Sequence, residues 1–146
     1  MANLAKIQTD TIFENETYWA RWRFVDAARD SYQNADITSC KYDAFQIEPY
    51  SATALASDTA LTLQNGDNTP TSGQIGWFDT LQTESDDGGW EDDDDSTGYN
   101  CIAQFPGTLF ATAGVVRIEV YVVLAGDAST VRCATFDITV LAALGS

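Results

Sequence analysis

The residues with the most evident chemical potential form an acidic run, Asp86-Asp87-Gly88-Gly89-Trp90-Glu91-Asp92-Asp93-Asp94-Asp95. Several carboxylates on one flexible loop suit Ca²⁺, which prefers oxygen ligands. The run lacks the D-x-[DN]-x-[DN]-G order of an EF-hand loop, and adjacent like charges are typical of a solvated loop. We therefore predict a solvated loop over residues 84–98 with no metal, and a calcium clamp is the alternative. Trp90 is a possible protein-contact residue, because an aromatic side chain can anchor a partner.

A second candidate group consists of Trp19, Arg21 and Arg23, which share one face of a predicted strand over residues 17–25. Arginine and tryptophan are enriched at binding hot spots, and arginine can also stack on an aromatic ring. These residue types predict contact with a neighbouring protein. A simply solvated sheet face and a small-ligand site are the alternatives.

The positive charges are concentrated near the start of the chain. Five of the seven Lys and Arg residues precede residue 42, namely Lys6, Arg21, Arg23, Arg29 and Lys41. If folding brings them together, they form one electropositive face on an acidic body. We predict that this face and the N-terminal segment mediate assembly.

Most catalytic and cofactor chemistry has no support in the sequence. Without histidine, Ser-His-Asp and Cys-His systems cannot form within one chain. Carboxylates are abundant, but no flanking pattern singles out a pair for glycoside hydrolysis. Cys40, Cys101 and Cys133 are too widely spaced for a zinc pattern or a disulfide framework, so we predict buried free thiols, with one disulfide as the alternative. The prediction is a non-enzyme with no cofactor.

Net charge and length exclude further classes. The 146 residues carry a formal charge of −15, which disfavours binding to nucleic acid and to anionic membranes. No apolar run approaches the roughly 20 residues of a spanning helix, and the first residues lack the apolar core of a signal peptide. The length is that of one domain over residues 1–146.

The elements that must position these residues are strands. From Gly114 to Leu141, apolar and polar residues alternate with a period of two on both sides of a turn at residues 125–129. This pattern is typical of an antiparallel pair with one buried face. In the second strand, the face with Ala134 and Phe136 lies opposite the face with Cys133 and Thr135. The apolar positions predicted to be buried are Trp22, Phe24, Ile118, Val120, Phe136 and Ile138.

Shorter runs predict the remaining elements. They cover residues 4–13, 17–25, 37–47, 60–64, 73–81 and 99–105, with one helical turn over 108–113. Pro49 ends the third run, because proline lacks an N–H donor and restricts the preceding residue. About seven strands separated by turn signals suggest an all-β fold, a single β-sandwich domain.

Short motifs at the two ends of the chain carry a family resemblance. They include Thr9-Asp10-Thr11-Ile12-Phe13, Trp22-Arg23-Phe24-Val25-Asp26-Ala27, Asp36-Ile37-Thr38-Ser39-Cys40-Lys41 and Phe105-Pro106-Gly107-Thr108-Leu109-Phe110. In this order they resemble immunoglobulin-like domains of tailed-phage virion proteins, among them the N-terminal domains of baseplate upper proteins. The acidic segment 84–98 departs from the family pattern.

The resemblance implies an antiparallel immunoglobulin-like β-sandwich without catalytic residues. It implies a structural component of a bacteriophage-like virion, first a capsid decoration or head-attached protein and second a baseplate or tail adaptor. Its partners would be capsid or tail proteins and copies of itself, in a homo-oligomer or a lattice within a virion assembled in the host cytoplasm. The alternative from another class is a carbohydrate-binding module that uses Trp19, Trp77 or Trp90 as a stacking platform.

Overall fold

Two β-sheets packed face to face contain the nine strands found among the described residues. The computed structural model describes residues 7–25, 32–82, 98–126 and 128–143. The strands are β1 (Ile7–Phe13), β2 (Tyr18–Trp22), β3 (Ile37–Glu48), β4 (Tyr50–Ala60), β5 (Thr62–Asn65), β6 (Gln74–Gln82), β7 (Tyr99–Phe105), β8 (Gly114–Leu124) and β9 (Thr130–Leu141). Two 3₁₀ helices, Asn34–Asp36 and Gly107–Phe110, complete the regular structure of these residues.

The strand order confirms an all-β sandwich and adds detail that the sequence did not predict. One sheet has the order β1-β9-β8-β3-β4 and the other β2-β7-β6-β5. Both sheets are mixed rather than antiparallel, because β1 is parallel to β9 and β5 is parallel to β6. The chain passes from β1 in one sheet to β2 in the other, so β1 finds its partner at the far end of the sequence.

The core lies between the sheets and is centred on Phe136. Its ring lies 5.4 Å from that of Trp22 and 6.2 Å from those of Tyr18 and Phe105, measured between centroids. Five of the six predicted core residues are buried; Phe24 is half-buried and packs against the core. Clustered aromatic pairs add to the stabilisation from area burial. The predicted inner faces of β2 and β8 are therefore confirmed.

One residue of β9 breaks the predicted alternation. Val120 pairs with Ala134 and Tyr121 pairs with Arg132, so Cys133 is an extra residue without a partner in β8. Such a β-bulge shifts the pleat by one position, and Cys133 and Ala134 are both buried. The prediction that Cys133 lies opposite the core was wrong, because the pattern was read without the bulge.

The three cysteines are buried and unbridged, as predicted. Burial raises the pKa of the Cys40 thiol to about 12 and also raises the pKa values of the Cys101 and Cys133 thiols well above their usual range. Desolvation is the main cause in each case, because a low-polarity environment disfavours the thiolate. These thiols therefore remain protonated core side chains.

The chain turns sharply between β3 and β4, as Pro49 predicts. β4 itself was not predicted, because its Ala, Ser and Thr residues show no apolar alternation. The predicted strand over 60–64 is divided, since β4 ends at Ala60 and β5 begins at Thr62, with buried Leu61 between them. The helical turn predicted over 108–113 is present as the shorter 3₁₀ helix Gly107–Phe110, which begins one residue earlier and ends three residues earlier.

Candidate functional site

The predicted contact residues lie on the outer face of the four-stranded sheet. Trp19 and Arg21 project from edge strand β2, where they pair with Gln104 and Ile102 of β7. Tyr18, Ala20 and Trp22 point into the core, so alternation turns Trp19 outward, where 41% of its surface is exposed. Arg21 and Arg23 are half-buried. We call Trp19, Arg21 and Arg23 the β2 patch.

The guanidinium of Arg21 lies over the aromatic ring of Tyr99. Its central carbon lies 5.5 Å from the ring centroid of Tyr99. Tyr99 is buried and meets Phe78 edge-on, with centroids 5.9 Å apart and planes at 90°. A cation over an aromatic face at this distance gains roughly 0.5–1 kcal/mol at an exposed site. The charge of Arg21 is thus held beside Trp19 rather than on a freely rotating side chain.

A loop after β5 borders the β2 patch. A Cβ atom at Gly76 would overlap the backbone oxygen of Asp67 and touch Ile102, so only glycine lets this loop fold onto the sheet. Later in the same loop, the Ser72 hydroxyl donates a hydrogen bond of 2.8 Å to Oε1 of Gln104. Gln104 is the register partner of Trp19, so this pair orders the surface next to the indole.

Buried polar contacts hold the strand end beyond Arg23. Asn100, which is fully buried, accepts from the N–H of Phe24 at 2.8 Å and donates to the carbonyls of Phe24 at 3.0 Å and Tyr32 at 3.3 Å. The Trp77 indole donates to the same Tyr32 carbonyl at 2.7 Å. Trp77 has no exposed surface, so the prediction that it could be a sugar-stacking platform was wrong. It is a core residue, because it faces inward from β6.

Of the five cations predicted to form one electropositive face, the structure describes three, and these three do not lie together. Lys41 is exposed on β3 between buried Cys40 and Tyr42, which places it on the outer face of the five-stranded sheet. Arg21 and Arg23 lie on the opposite side of the sandwich. Sequence proximity failed here because neighbouring strands of the chain belong to different sheets.

The outer face of the five-stranded sheet contains charged side chains that bind one another. Arg117 on β8 donates two hydrogen bonds to Asp137 on β9, from Nε at 2.7 Å and from Nη2 at 2.8 Å. These bonds are the main reason why the pKa of Arg117 is raised. The Tyr121 hydroxyl donates to Glu119 at 2.8 Å, and burial, followed by this contact, raises the pKa of Tyr121 to about 12.

A shallow hollow of about 260 Å³ lies beside these pairs. Its lining comes from β3, β8 and the ends of β4 and β9, with side chains of both charges: Ser39, Lys41, Asp43, Asp58, Tyr121, Val123 and Thr130. The Asp43 carboxylate accepts from the Asp58 N–H at 2.7 Å. Part of this lining is therefore engaged in hydrogen bonding within the chain, which makes the β2 patch the stronger candidate site.

The remaining predictions fall on other parts of the chain. Trp90, Lys6, Arg29 and the acidic run lie outside the described residues. Within the described ranges, no group of three or more potential side-chain ligands could hold a metal ion, and no helix there is long and apolar enough to cross a membrane.

Sequence reasoning missed Phe78, Tyr99, Ser72 and Gln104, which surround or support the β2 patch. They come from β6, β7 and the loop between β5 and β6, up to 85 residues away in sequence from Trp19. For Phe78 and Gln104 the available signal was their position opposite the core-facing residues of their own strands, whereas Ser72 and Tyr99 had no such signal. Alternation predicts which residues point outward but not which of them meet.

No protein-family model, curated protein or solved structure matches this chain. The likeness to immunoglobulin-like domains of phage virion proteins therefore depends on the sequence motifs at the two ends of the chain.

Proposed function

We propose that this protein is a non-catalytic structural component of a bacteriophage-like virion that binds a neighbouring protein through the β2 patch. The first role is capsid decoration or head attachment, and the second is a baseplate or tail adaptor. The observation that carries the proposal is the exposed Trp19 beside Arg21, whose guanidinium is held on the Tyr99 ring. Ordered tryptophan and arginine side chains are typical anchors of protein interfaces.

The charge of the molecule supports a protein partner. At −15, the chain repels nucleic acid and anionic membranes, whereas Arg21 and Arg23 offer a local positive region to an acidic or neutral protein surface. High net charge of one sign also keeps a many-copy surface protein soluble. These features agree with the family resemblance of the sequence motifs.

Reconstitution on particles tests the proposal. Particles lacking the protein are mixed with the purified chain, and the bound fraction is measured by co-sedimentation. Trp19→Ser and Arg23→Glu should each reduce binding by about tenfold or more, which corresponds to about 1.4 kcal/mol. Phe13→Ser is the matched control, because Phe13 is an aromatic residue of similar exposure, 44%, on the other sheet.

The control defines the outcome that would overturn the proposal. If Phe13→Ser reduces binding as much as Trp19→Ser, or if neither variant reduces it, the β2 patch is not the contact. Melting curves of each variant separate a lost contact from a lost fold. Removal of residues 1–12 is not a clean alternative, because it deletes most of β1 from the five-stranded sheet.

A carbohydrate-binding module is the second candidate, and exposed Trp19 is the observation that favours it. An indole lying on an outer sheet face can stack on a sugar ring, and the hydrogen-bonded Ser72–Gln104 pair lies next to it. A glycan array distinguishes the two functions. A defined sugar that binds the native chain but not the Trp19→Ser variant favours the carbohydrate-binding module. If no sugar on the array binds and the chain binds to particles, the structural role is favoured.

A further inference from the structure

β4 is the long open edge of the five-stranded sheet. It contains 11 residues, and among the described strands it pairs only with β3. All of its residues are exposed except Ala56 and Thr59, which are half-buried. Tyr50 is 78% exposed and Leu55 40%. Among the described residues, β4 contributes only the half-buried Ala56 to the core, and no strand pairs along its outer edge.

The other sheet edges are protected by charge or by shortness, whereas on β4 the Thr53 N–H donates to the Ser51 hydroxyl at 3.2 Å and the Asp58 N–H to the Asp43 carboxylate at 2.7 Å. At β1, the backbone N–H groups of Thr11 and Phe13 donate to the carboxylates of Asp10 and Glu16, at 2.8 and 2.9 Å. The edge strands β2 and β5 of the other sheet have only five and four residues. Charge and shortness are common ways to prevent edge pairing. β4 is long, and its residues 50–57 carry no charge.

β4 also has more backbone than its partner uses. Its register with β3 runs from Lys41 opposite Ala60 to Ile47 opposite Tyr50, with three shifts. The 11 residues of β4 therefore span seven residues of β3, an excess of four. Residues without a register partner leave N–H and C=O groups that must bond elsewhere. Water can satisfy them, and so can another strand.

We propose that β4 pairs with β4 of a second copy, antiparallel across a twofold axis, and joins two five-stranded sheets. The charge distribution points to this occupant. Two bodies of −15 each repel one another, and they approach most easily through a segment that has no charge on either side. A twofold axis also makes every contact occur twice, because the same surface is used by both copies.

One antiparallel register keeps the charged residues of the two β4 strands apart. If the axis passes through Ala54, the charge nearest to it on β4 is Asp58, four residues away. The two Asp58 residues are then eight positions apart along the strands, about 27 Å if β4 is fully extended and about 16 Å if its 11 residues advance only as far as the seven β3 residues they span. Either separation exceeds the screening length of about 8 Å at physiological salt. In the same register Leu55 lies opposite Thr53, so its exposed side chain gains a cross-strand neighbour.

Sedimentation velocity across the micromolar range, up to about 1 mM, tests the pairing on the full chain. We expect a reversible dimer that becomes stronger as salt rises, because salt screens the repulsion between the two acidic bodies. Leu55→Lys should weaken the dimer by about tenfold or more. Thr11→Lys is the matched control, because it places the same charge on an exposed position of β1.

Hydrogen exchange supplies an independent readout. Amides of residues 51–57 should become more protected as protein concentration rises, while amides of β1 should not change. A monomer throughout the concentration range overturns the proposal, as does an equal loss of dimer in both lysine variants. The pairing is independent of the β2 patch, so Trp19→Ser should retain the dimer and Leu55→Lys should retain any contact made through Trp19.

Discussion

The β8–β9 and β3–β4 ladders belong to the same sheet but differ in regularity. β8 and β9 form ten register pairs with one shift, whereas β3 and β4 form five pairs with three shifts. β8 and β9 each bury one face in the core, whereas β4 is mostly exposed and packs only half-buried Ala56 against the core. Register is strongly specified where a slip would expose a buried face. Along β4 a slip would expose little beyond Ala56, so irregular pairing carries little penalty.

The largest expected effect tests whether burial explains this difference. Phe136→Ala on β9 should reduce the free energy of unfolding by about 3–5 kcal/mol, because it leaves a cavity among three aromatic rings. Leu55→Ala on β4 should cost only about 0.5 kcal/mol, since its side chain is exposed. Urea denaturation at low protein concentration measures both. A cost below about 1 kcal/mol for Phe136→Ala would contradict the assigned core.

The next effect concerns the close contact between the start of β8, which belongs to the regular ladder, and the end of β3, which belongs to the irregular one. Gly114 of β8 has φ +137°, and a Cβ atom there would overlap the backbone oxygen of Glu48 at the end of β3. Gly114→Ala should therefore destabilise the fold by about 1–3 kcal/mol. Gly126→Ala is the control, because a Cβ at Gly126 meets no atom within 4 Å. Equal urea midpoints for the two variants would show that the ladders are not held this closely.

A third prediction uses pH to test whether Cys40 on the inner face of β3 is buried in the core. The neighbouring strand β4 is mostly exposed. The folded-state pKa of Cys40 is raised from 9.0 to about 12. A raised pKa means that the protonated thiol stabilises the fold below pH 9 and that this contribution is lost as pH rises from 9 towards 12. Native protein should therefore lose stability more steeply above pH 9 than Cys40→Ala does.

Thiolate absorbance of the folded protein provides the check on that prediction. In the native state Cys40 should remain protonated well above pH 9, and thiol reagents should react only after unfolding. Titration of a native thiol near pH 9 would place Cys40 at the surface and remove the contrast between β3 and β4.

The smallest expected effect lies on the outer face of the regular ladder. The Arg117 and Asp137 side chains are 31% and 21% exposed, so Asp137→Asn should cost about 1 kcal/mol or less. The loss should shrink further in high salt, which screens the pair. Denaturation at low and high salt measures it. A cost that is larger and independent of salt would mean that the regularity of the β8–β9 ladder depends on its outer face as well as its core.

Several elements could be read from local pattern alone. The boundaries of β7, the inward side chains of β2 and the long strands β8 and β9 follow from alternation and from turn residues, and the structure has them in those places. The burial of Cys40, Cys101 and Cys133 also followed from residue type. In the candidate site, the outward direction of Trp19 was predictable from its position opposite Tyr18 and Trp22.

Other features had no local signal. β4 has the composition of a loop and becomes a strand only because β3 supplies a ladder beside it. The extra residue at Cys133 is visible only against its partner strand. Lys41 was expected near Arg21 because both lie early in the chain, but β3 and β2 belong to different sheets.

The sequence by itself determined most of the residues that face inward along the strong strands, Cys133 at the bulge excepted, because side chains alternate with a period of two and apolar groups leave water. Only the tertiary structure decided which strands became neighbours. That choice placed β1 parallel to β9, set the Arg21 guanidinium on the Tyr99 ring, and left β4 at an open edge. Pairing between distant strands depends on how two sheets close over a shared core, and no local run of residues contains that information.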